Sequence, residues 1–323
     1  MSEQLCKINI CDIDLNDLRY KISFTSGNIE SLAQSIKDTG LINPPLVRPL
    51  KNRYIIVAGF NRVQAYIKNR EDTIVVYKTK SDTDEYQYLL KSITALSFKR
   101  ELTYAELIVS IKSLNDFLDV TQIADKSSAI FNARLNIKFV QDLLNIGTYL
   151  PEFSLNLIHQ GNLSIKTAKR LLSFKNKAIK EFLIIFSKIK ASNNKQLEIV
   201  QFIDEISKRE AINIEDFFQN QKMQKIILDE NREPVLKTRL LREFLYEKRF
   251  PTLFQTRQTV QKRINKLKLG NKVKMLPPEN FESQNYSISF TLKNYNEFKT
   301  NIKTLNTLLE SRELKEIFDQ SNV

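Results

Sequence analysis

In the stretch IIVAGFNRVQAY, residues 55–66, an apolar run ends at Gly59, and Arg62 and Ala65 follow at steps of three. A strand that enters a helix through a glycine can bring backbone amides close to an anion, and a guanidinium on the first helical turn can add a two-pronged grip. These residue types offer phosphate chemistry at that corner. They equally suit an ordinary strand-to-helix turn in which Arg62 faces a carboxylate. A second group lies in NIKFVQDLLNI, residues 136–146. Lys138, Gln141 and Asn145 are spaced i, i+3, i+7, so they share one helical face. Ile137, Val140, Leu143 and Leu144 are expected to face inward, leaving Lys138, Phe139, Gln141, Asp142 and Asn145 outward. Amide and ammonium groups presented this way can read base edges in a DNA major groove. A third group, Lys166, Lys169 and Arg170, forms a basic i, i+3, i+4 stripe suited to phosphates or to plain solvation.

Other chemistry is poorly supplied. Cys6 and Cys11 are the only cysteines and His159 the only histidine of 323 residues. Two cysteines make no disulfide framework, and no His or Cys cluster completes a metal site. No catalytic residue or metal ligand is assigned. The net charge of +13 is uneven: residues 232–274 hold 13 basic and 3 acidic side chains. Such a field attracts polyanions, of which nucleic acid is the default in a cytoplasm. The first residues lack the apolar core of a secretory signal, and the longest apolar run is FLIIF, 182–186. The expected location is therefore cytoplasmic.

The elements that must position these groups follow from periodicity. Residues 6–14 alternate as a strand, and 28–40 form a helix with Gly40 at its C-terminal cap. Strands are expected over 44–50 and 54–59 around a turn at Lys51-Asn52, then a helix over 60–70 and a strand over 73–80. From Asp84 the period becomes helical and holds to about Lys208, with breaks at Gly147, Pro151, Gly161 and Asn162. Residues 211–270 read as basic and mostly helical, with one break at 249–253. The tail reads strand 272–276, turn 277–285, strand 286–292 with one buried face, and helix 296–311. The expected fold class is α+β and multi-domain. The segments are an α/β domain over 1–83, an all-α DNA-binding domain over 84–185, and a basic helical region over 186–323 that ends in a strand-strand-helix module.

The run LAQSIKDTGLINPPLVRPLKNRYIIVAGFNRVQAY resembles the ParB/RepB/Spo0J-type partition proteins, whose N-terminal domain is related to sulfiredoxin. There a "GL…QP" phrase leads to "VVRP" and then "YxxxAGERRxRA", and the likeness extends over roughly residues 5–175. Gly59, Arg62 and Ala65 match, while Phe60, Asn61 and Gln64 stand where the family has Glu, Arg and Arg. The resemblance implies a CTP site, with Gly59, Asn61, Arg62 and, from the next motif, Arg100 as its residues. In that motif, "ENxQR", Leu96 and Ser97 replace the magnesium-holding Glu and Asn. Leucine offers a hard cation no oxygen, so CTP hydrolysis is not expected. For Arg100 an ion pair within "KRE" competes with a phosphate contact.

Residues 120–174 resemble the family's helix-turn-helix block, with Thr121 as the expected N-cap and Gln122 beside it. Thr121 and Pro151 are five positions further apart than in the family pattern, an insertion placed within KSSAIFNAR. The resemblance implies contacts to double-stranded DNA from Thr121, Gln122, Lys138, Gln141, Asn145, Lys166, Lys169 and Arg170. It also implies a homodimer, a ParA-type ATPase partner, and work in plasmid or chromosome partition at the nucleoid or plasmid. A transcription regulator on the same fold is the alternative, as is a ParB-like nuclease or CTPase. No clustered Asp/Glu/His set supports the nuclease.

Overall fold

Strand β3 (Arg53–Ala58) is a continuous apolar run because both of its faces are covered. Ile55 and Val57 pack on one side with Tyr20 and Tyr88, while Ile56 packs on the other with Val47, Val63, Ile74 and Val76. The computed structural model describes residues 3–25, 27–80, 84–269, 273–278 and 285–319. In chain order the first unit opens with β1 (Gln4–Asn9), α1 (Ile29–Thr39), β2 (Leu46–Leu50), β3, α2 (Phe60–Lys68) and β4 (Thr73–Lys78). The sheet order is β1-β4-β2-β3, antiparallel except for the β2–β4 pair. The strand expected over 6–14 stops at Asn9. There the backbone tightens into a 3-10 turn, and Ile13 makes an isolated bridge to Tyr54 on the far edge of the sheet.

Helices follow: α3 (Glu85–Ser97), α4 (Tyr104–Leu114), α5 (Val120–Asp125), α6 (Ser127–Phe131), α7 (Ile137–Tyr149), α8 (Phe153–His159), α9 (Ile165–Leu171), α10 (Asn176–Lys188) and α11 (Asn193–Arg209). Gly147 is not a break. It lies inside α7, where a Cβ would sit 2.7 Å from Ile108 Cγ2, so the glycine lets α7 approach α4 closely. The packing is divided differently from the three segments expected. Residues 1–200 and 227–238 form one unit, and 201–226 with 239–323 form another. The first unit runs past 185 because Gln196 of α11 accepts from the Ser164 amide at 2.9 Å and donates to Ala191 O at 3.0 Å.

The second unit includes α12 (Ile214–Phe217), α13 (Gln221–Ile227, all but its last residue), most of α14 (Pro234–Arg249), α15 (Pro251–Lys266), β5 (Val273–Leu276), β6 (Ser287–Phe290), α16 (Tyr295–Leu308) and α17 (Arg312–Asp319). Val260, Ile264, Leu267, Met275, Leu308 and Ile317 make a small core that joins α15 to the tail. The buried face expected on the strand over 286–292 is absent: Ile288 is 44% and Leu292 43% exposed. The physical reason is that the two-stranded sheet covers only the β5 side, through Val273 and Met275. Most of the turn expected over 277–285 lies outside the described residues. Among the described residues no helix is long and apolar enough to cross a membrane.

The loop after β1 and the helices of the first unit meet at one buried carboxylate. Glu106 is 0% exposed and accepts from Arg100 Nη2 at 2.6 Å, Arg100 Nη1 at 2.8 Å, Thr103 N at 2.9 Å and Phe24 N at 3.2 Å. Burial alone would raise its pKa, but the guanidinium and the two amides hold it below the usual glutamate value. A carboxylate depressed in the folded state adds stability that is present above the unfolded value and is lost as pH falls through the folded one. Arg100→Ala should therefore cost about 3 kcal/mol near neutral pH, since it strands a buried charge. The gap from wild type should narrow as the medium turns acid. Denaturant titrations of both proteins across a pH series measure this, and a pH-independent gap would refute it.

Candidate nucleotide and nucleic-acid sites

At the end of β3, Gly59 takes a left-handed conformation, φ 95°, and caps α2. A Cβ there would meet Pro45 Cβ at 2.8 Å, so both the turn and the close approach require glycine. The corner opens on a cleft of about 230 Å³ whose lining includes Gly59, Asn61, Arg62, Lys21, Leu96 and Lys99. Three cations line it and no carboxylate does. Arg62 is half-buried, and burial pushes its guanidinium below the usual arginine value, with no opposing carboxylate among the causes. The carboxylate partner open to Arg62 in the sequence is not found among the described residues. A desolvated guanidinium without a counter-ion is costly, and an anion would relieve it.

Arg100 does not join this site. Its guanidinium is committed to Glu106 and to Thr25 Oγ1 at 3.2 Å, so the ion-pair alternative holds, with Glu106 rather than within "KRE". The neighbouring Lys99 faces the cleft instead. The Lys-Arg dipeptide signalled a cation there, but only the backbone decides which of two adjacent side chains turns inward. The signal for Lys21 is the alternation Leu18, Tyr20, Ile22, Phe24, which buries Tyr20 and Ile22 and turns Lys21 the other way, although no element is expected there from the sequence. Leu96 lines the cleft, and buried Ser97 donates to Ile130 O at 2.7 Å, so neither is placed to hold a cation. No group of three or more metal-ligating side chains occurs among the described residues.

The second cluster centres on α7. Val140, Leu143 and Ile146 are buried, while Lys138 and Gln141 are exposed. Several expectations shift, and Asp142, Leu144 and Asn145 are all half-buried. Ile137 is 50% exposed, and Phe139 is half-buried with its ring edge-on to Tyr104 at 6.1 Å. The helix starts later than the apolar spacing suggests. Asn136 is its N-cap, accepting from Phe139 N at 2.8 Å, so Ile137 falls on the first turn, ahead of the packed stretch. Gln141 Nε2 donates to Asn145 Oδ1 at 2.9 Å. Lys169 reaches Asp142 at 2.6 Å, which places the α9 stripe beside the exposed face of α7. Lys166 is exposed, and Arg170 contacts Ser173 Oγ at 2.9 Å. Thr121 is not the N-cap of α5. Asp119 is, in a reciprocal box whose other half is the Gln122 side chain accepting from Asp119 N at 3.0 Å. Thr121 and Gln122 are exposed at the start of α5.

Residues 1–93 match the family described as ParB N-terminal domain. A probable chromosome-partitioning protein ParB of Borreliella burgdorferi is 26% identical over 223 residues, covering 68% of this chain and 82% of its own. That of Campylobacter jejuni is 28% identical, covering 65% and 77%. The first 93 residues match a ParB N-terminal domain, and the chain is similar to ParB proteins beyond it. Both alignments are longer than the N-terminal domain, so the likeness takes in helical sequence as well. A truncated ParB of Caulobacter crescentus, solved with its centromeric parS site, is 19% identical with a TM-score of 0.34, covering 55% of this chain and 91% of that one.

The cleft makes a specific demand on solution behaviour. Inorganic tripolyphosphate should raise the melting temperature of the wild-type protein and leave Arg62→Met unmoved. Without ligand, Arg62→Met should melt no lower than wild type, because it removes an uncompensated desolvated charge. Thermal melts with and without tripolyphosphate decide this, and an equal rise in both proteins would exclude Arg62 as the anion's partner.

Proposed function

We propose that this chain is a sequence-specific DNA-binding protein of partition type, with α7 as its reading helix and the α9 cations as its phosphate contacts. The supporting observation is the face of α7. It buries Val140, Leu143 and Ile146 and turns Lys138 and Gln141 outward, with Lys169 alongside through Asp142. Relatives described as chromosome-partitioning proteins favour partition over transcription control. In this reading α5 and α7 are the two arms of a helix-turn-helix, flanked by an α/β nucleotide domain and a C-terminal pairing module. A ParA-type ATPase would be the motor partner.

The cleft at Gly59, Asn61 and Arg62 is proposed to take CTP, with Lys21 and Lys99 as further phosphate partners. Its lack of a carboxylate lining argues for binding without turnover. Homodimerisation would cover the apolar side of β6, where Ile288 and Leu292 lie exposed. Isolated two-stranded sheets are marginal, and pairing two copies supplies the missing layer. A chain ending at Lys266 should therefore sediment as a monomer where the full chain is a dimer. An unchanged sedimentation mass would remove the tail from the interface.

The reading itself is tested on duplexes. A site selected from random DNA by the full chain should lose about 1–3 kcal/mol of affinity with Gln141→Ala, while binding to random DNA barely changes. Lys166→Ala should weaken both duplexes alike and lower the salt slope by roughly one. Fluorescence anisotropy over a salt series provides both readouts. Full affinity in the combined Lys138, Gln141 and Asn145 alanine variant, with unchanged circular dichroism, would sink the assignment of α7.

A further inference from the structure

Between α5 and α7 the chain passes through residues 126–136, the stretch that contains the insertion. It is a fixed element. Ile130 and Phe131 of α6 are buried, and Ser97 Oγ donates to Ile130 O at 2.7 Å. Asn132 reverses the chain in a left-handed conformation, φ 52°. Leu135 N then donates to the buried Ser127 Oγ at 2.9 Å, closing the segment on itself. Two residues flank that closing bond. Lys126 precedes Ser127 and Arg134 precedes Leu135, so the topology brings two cations to the neck of one small loop. Both are exposed, and neither has an ion pair or side-chain hydrogen bond among the described residues. Asp125, next in the chain, is exposed and pairs with neither.

The Ser127–Leu135 bond brings the backbones that carry these two cations together, and an anion that both side chains reach would be favoured. Arg134 lies two residues before the Asn136 cap of α7, at most about 7 Å along an extended backbone. With α7 laid in a major groove, the anion nearest such a position would be a backbone phosphate of that duplex. We propose that Arg134 and Lys126 form a phosphate clamp, added by the insertion at the edge of the DNA footprint. This rests on α7 being the reading helix. Because the loop is already closed by Ser127 and Leu135, the clamp forms with little ordering cost.

The test uses the full chain as Arg134→Ala, Lys126→Ala, Arg134→Lys and, as reference, Lys166→Ala. Each is titrated by anisotropy onto the selected site and onto a random-sequence duplex across salt. Arg134→Ala and Lys126→Ala should each lower the salt slope by roughly one on both duplexes. Their affinity deficit should then shrink about 3- to 4-fold between about 50 and 200 mM salt. Arg134→Lys should keep the wild-type slope, because a phosphate contact needs the charge rather than the fork. Melting temperatures should match throughout, since both side chains are exposed. Unchanged slopes in the two alanine variants, with a reduced slope in Lys166→Ala, would overturn the clamp and leave α7 standing. A flat response in Lys166→Ala as well would bring down the duplex reading with it. A loss confined to the selected site would make Arg134 a base reader and equally overturn the clamp.

Discussion

The carboxylate of Glu106 ties the loop after β1 to the start of α4. It sits without solvent exposure at the start of α4 and collects a guanidinium from the α3–α4 link, the capping amide of its own helix, and the amide of Phe24 from the long loop after β1. A buried charge of this kind is tolerable only when every lone pair is used, and here two oxygens take four donors. The loop that supplies Phe24 also supplies Lys21 and Ser23 to the anion cleft. The Phe24 ring stacks on His159 of α8 at 5.5 Å, and His159 Nδ1 lies 3.4 Å from Thr103 Oγ1. One ionised side chain thus fixes the wall of the cleft, the start of α4 and the end of α8.

The cleft shows the opposite treatment of charge. Arg48, also near the sheet, is neutralised by Glu85 and stacked over the Tyr88 ring at 4.6 Å. Arg62 receives no such partner, although burial disfavours its charge. The fold satisfies a structural arginine with a carboxylate, and it leaves another unsatisfied beside the glycine turn. That contrast between two arginines of one domain is the physical ground for treating the corner as a binding site and not as a simple strand-to-helix connection.

The regular elements were legible because their periodicity is strong. The runs that make β3, α2, α4 and α10 show apolar spacing that burial alone explains, and Gly59 announces its turn by residue type. What failed was decided by which partner each side chain takes, near in the chain or far. The bidentate capture of Arg100 depends on Glu106, six residues later, turning inward. The exposure of Ile137 depends on where Asn136 caps the helix, which a spacing rule leaves free by one residue. The Asp119 cap outcompeted Thr121 because its carboxylate and the Gln122 amide close a reciprocal box. The open face of β6 looked like a core strand, since alternation reports an apolar side without reporting what lies against it.

If α7 is the reading helix proposed above, the bond from Gln141 to Asn145 has a kinetic meaning. An amide that already has a partner on its own helix is content when no matching base edge is present. On arbitrary DNA it would stay folded back, with one of its two amide donors already used. Only a site offering a better acceptor and donor pair draws it away, and it then exchanges one hydrogen bond for two. A protein with such a parked side chain could travel along a duplex with little friction and stop where the exchange is favourable, so that search speed and selectivity come from the same residue.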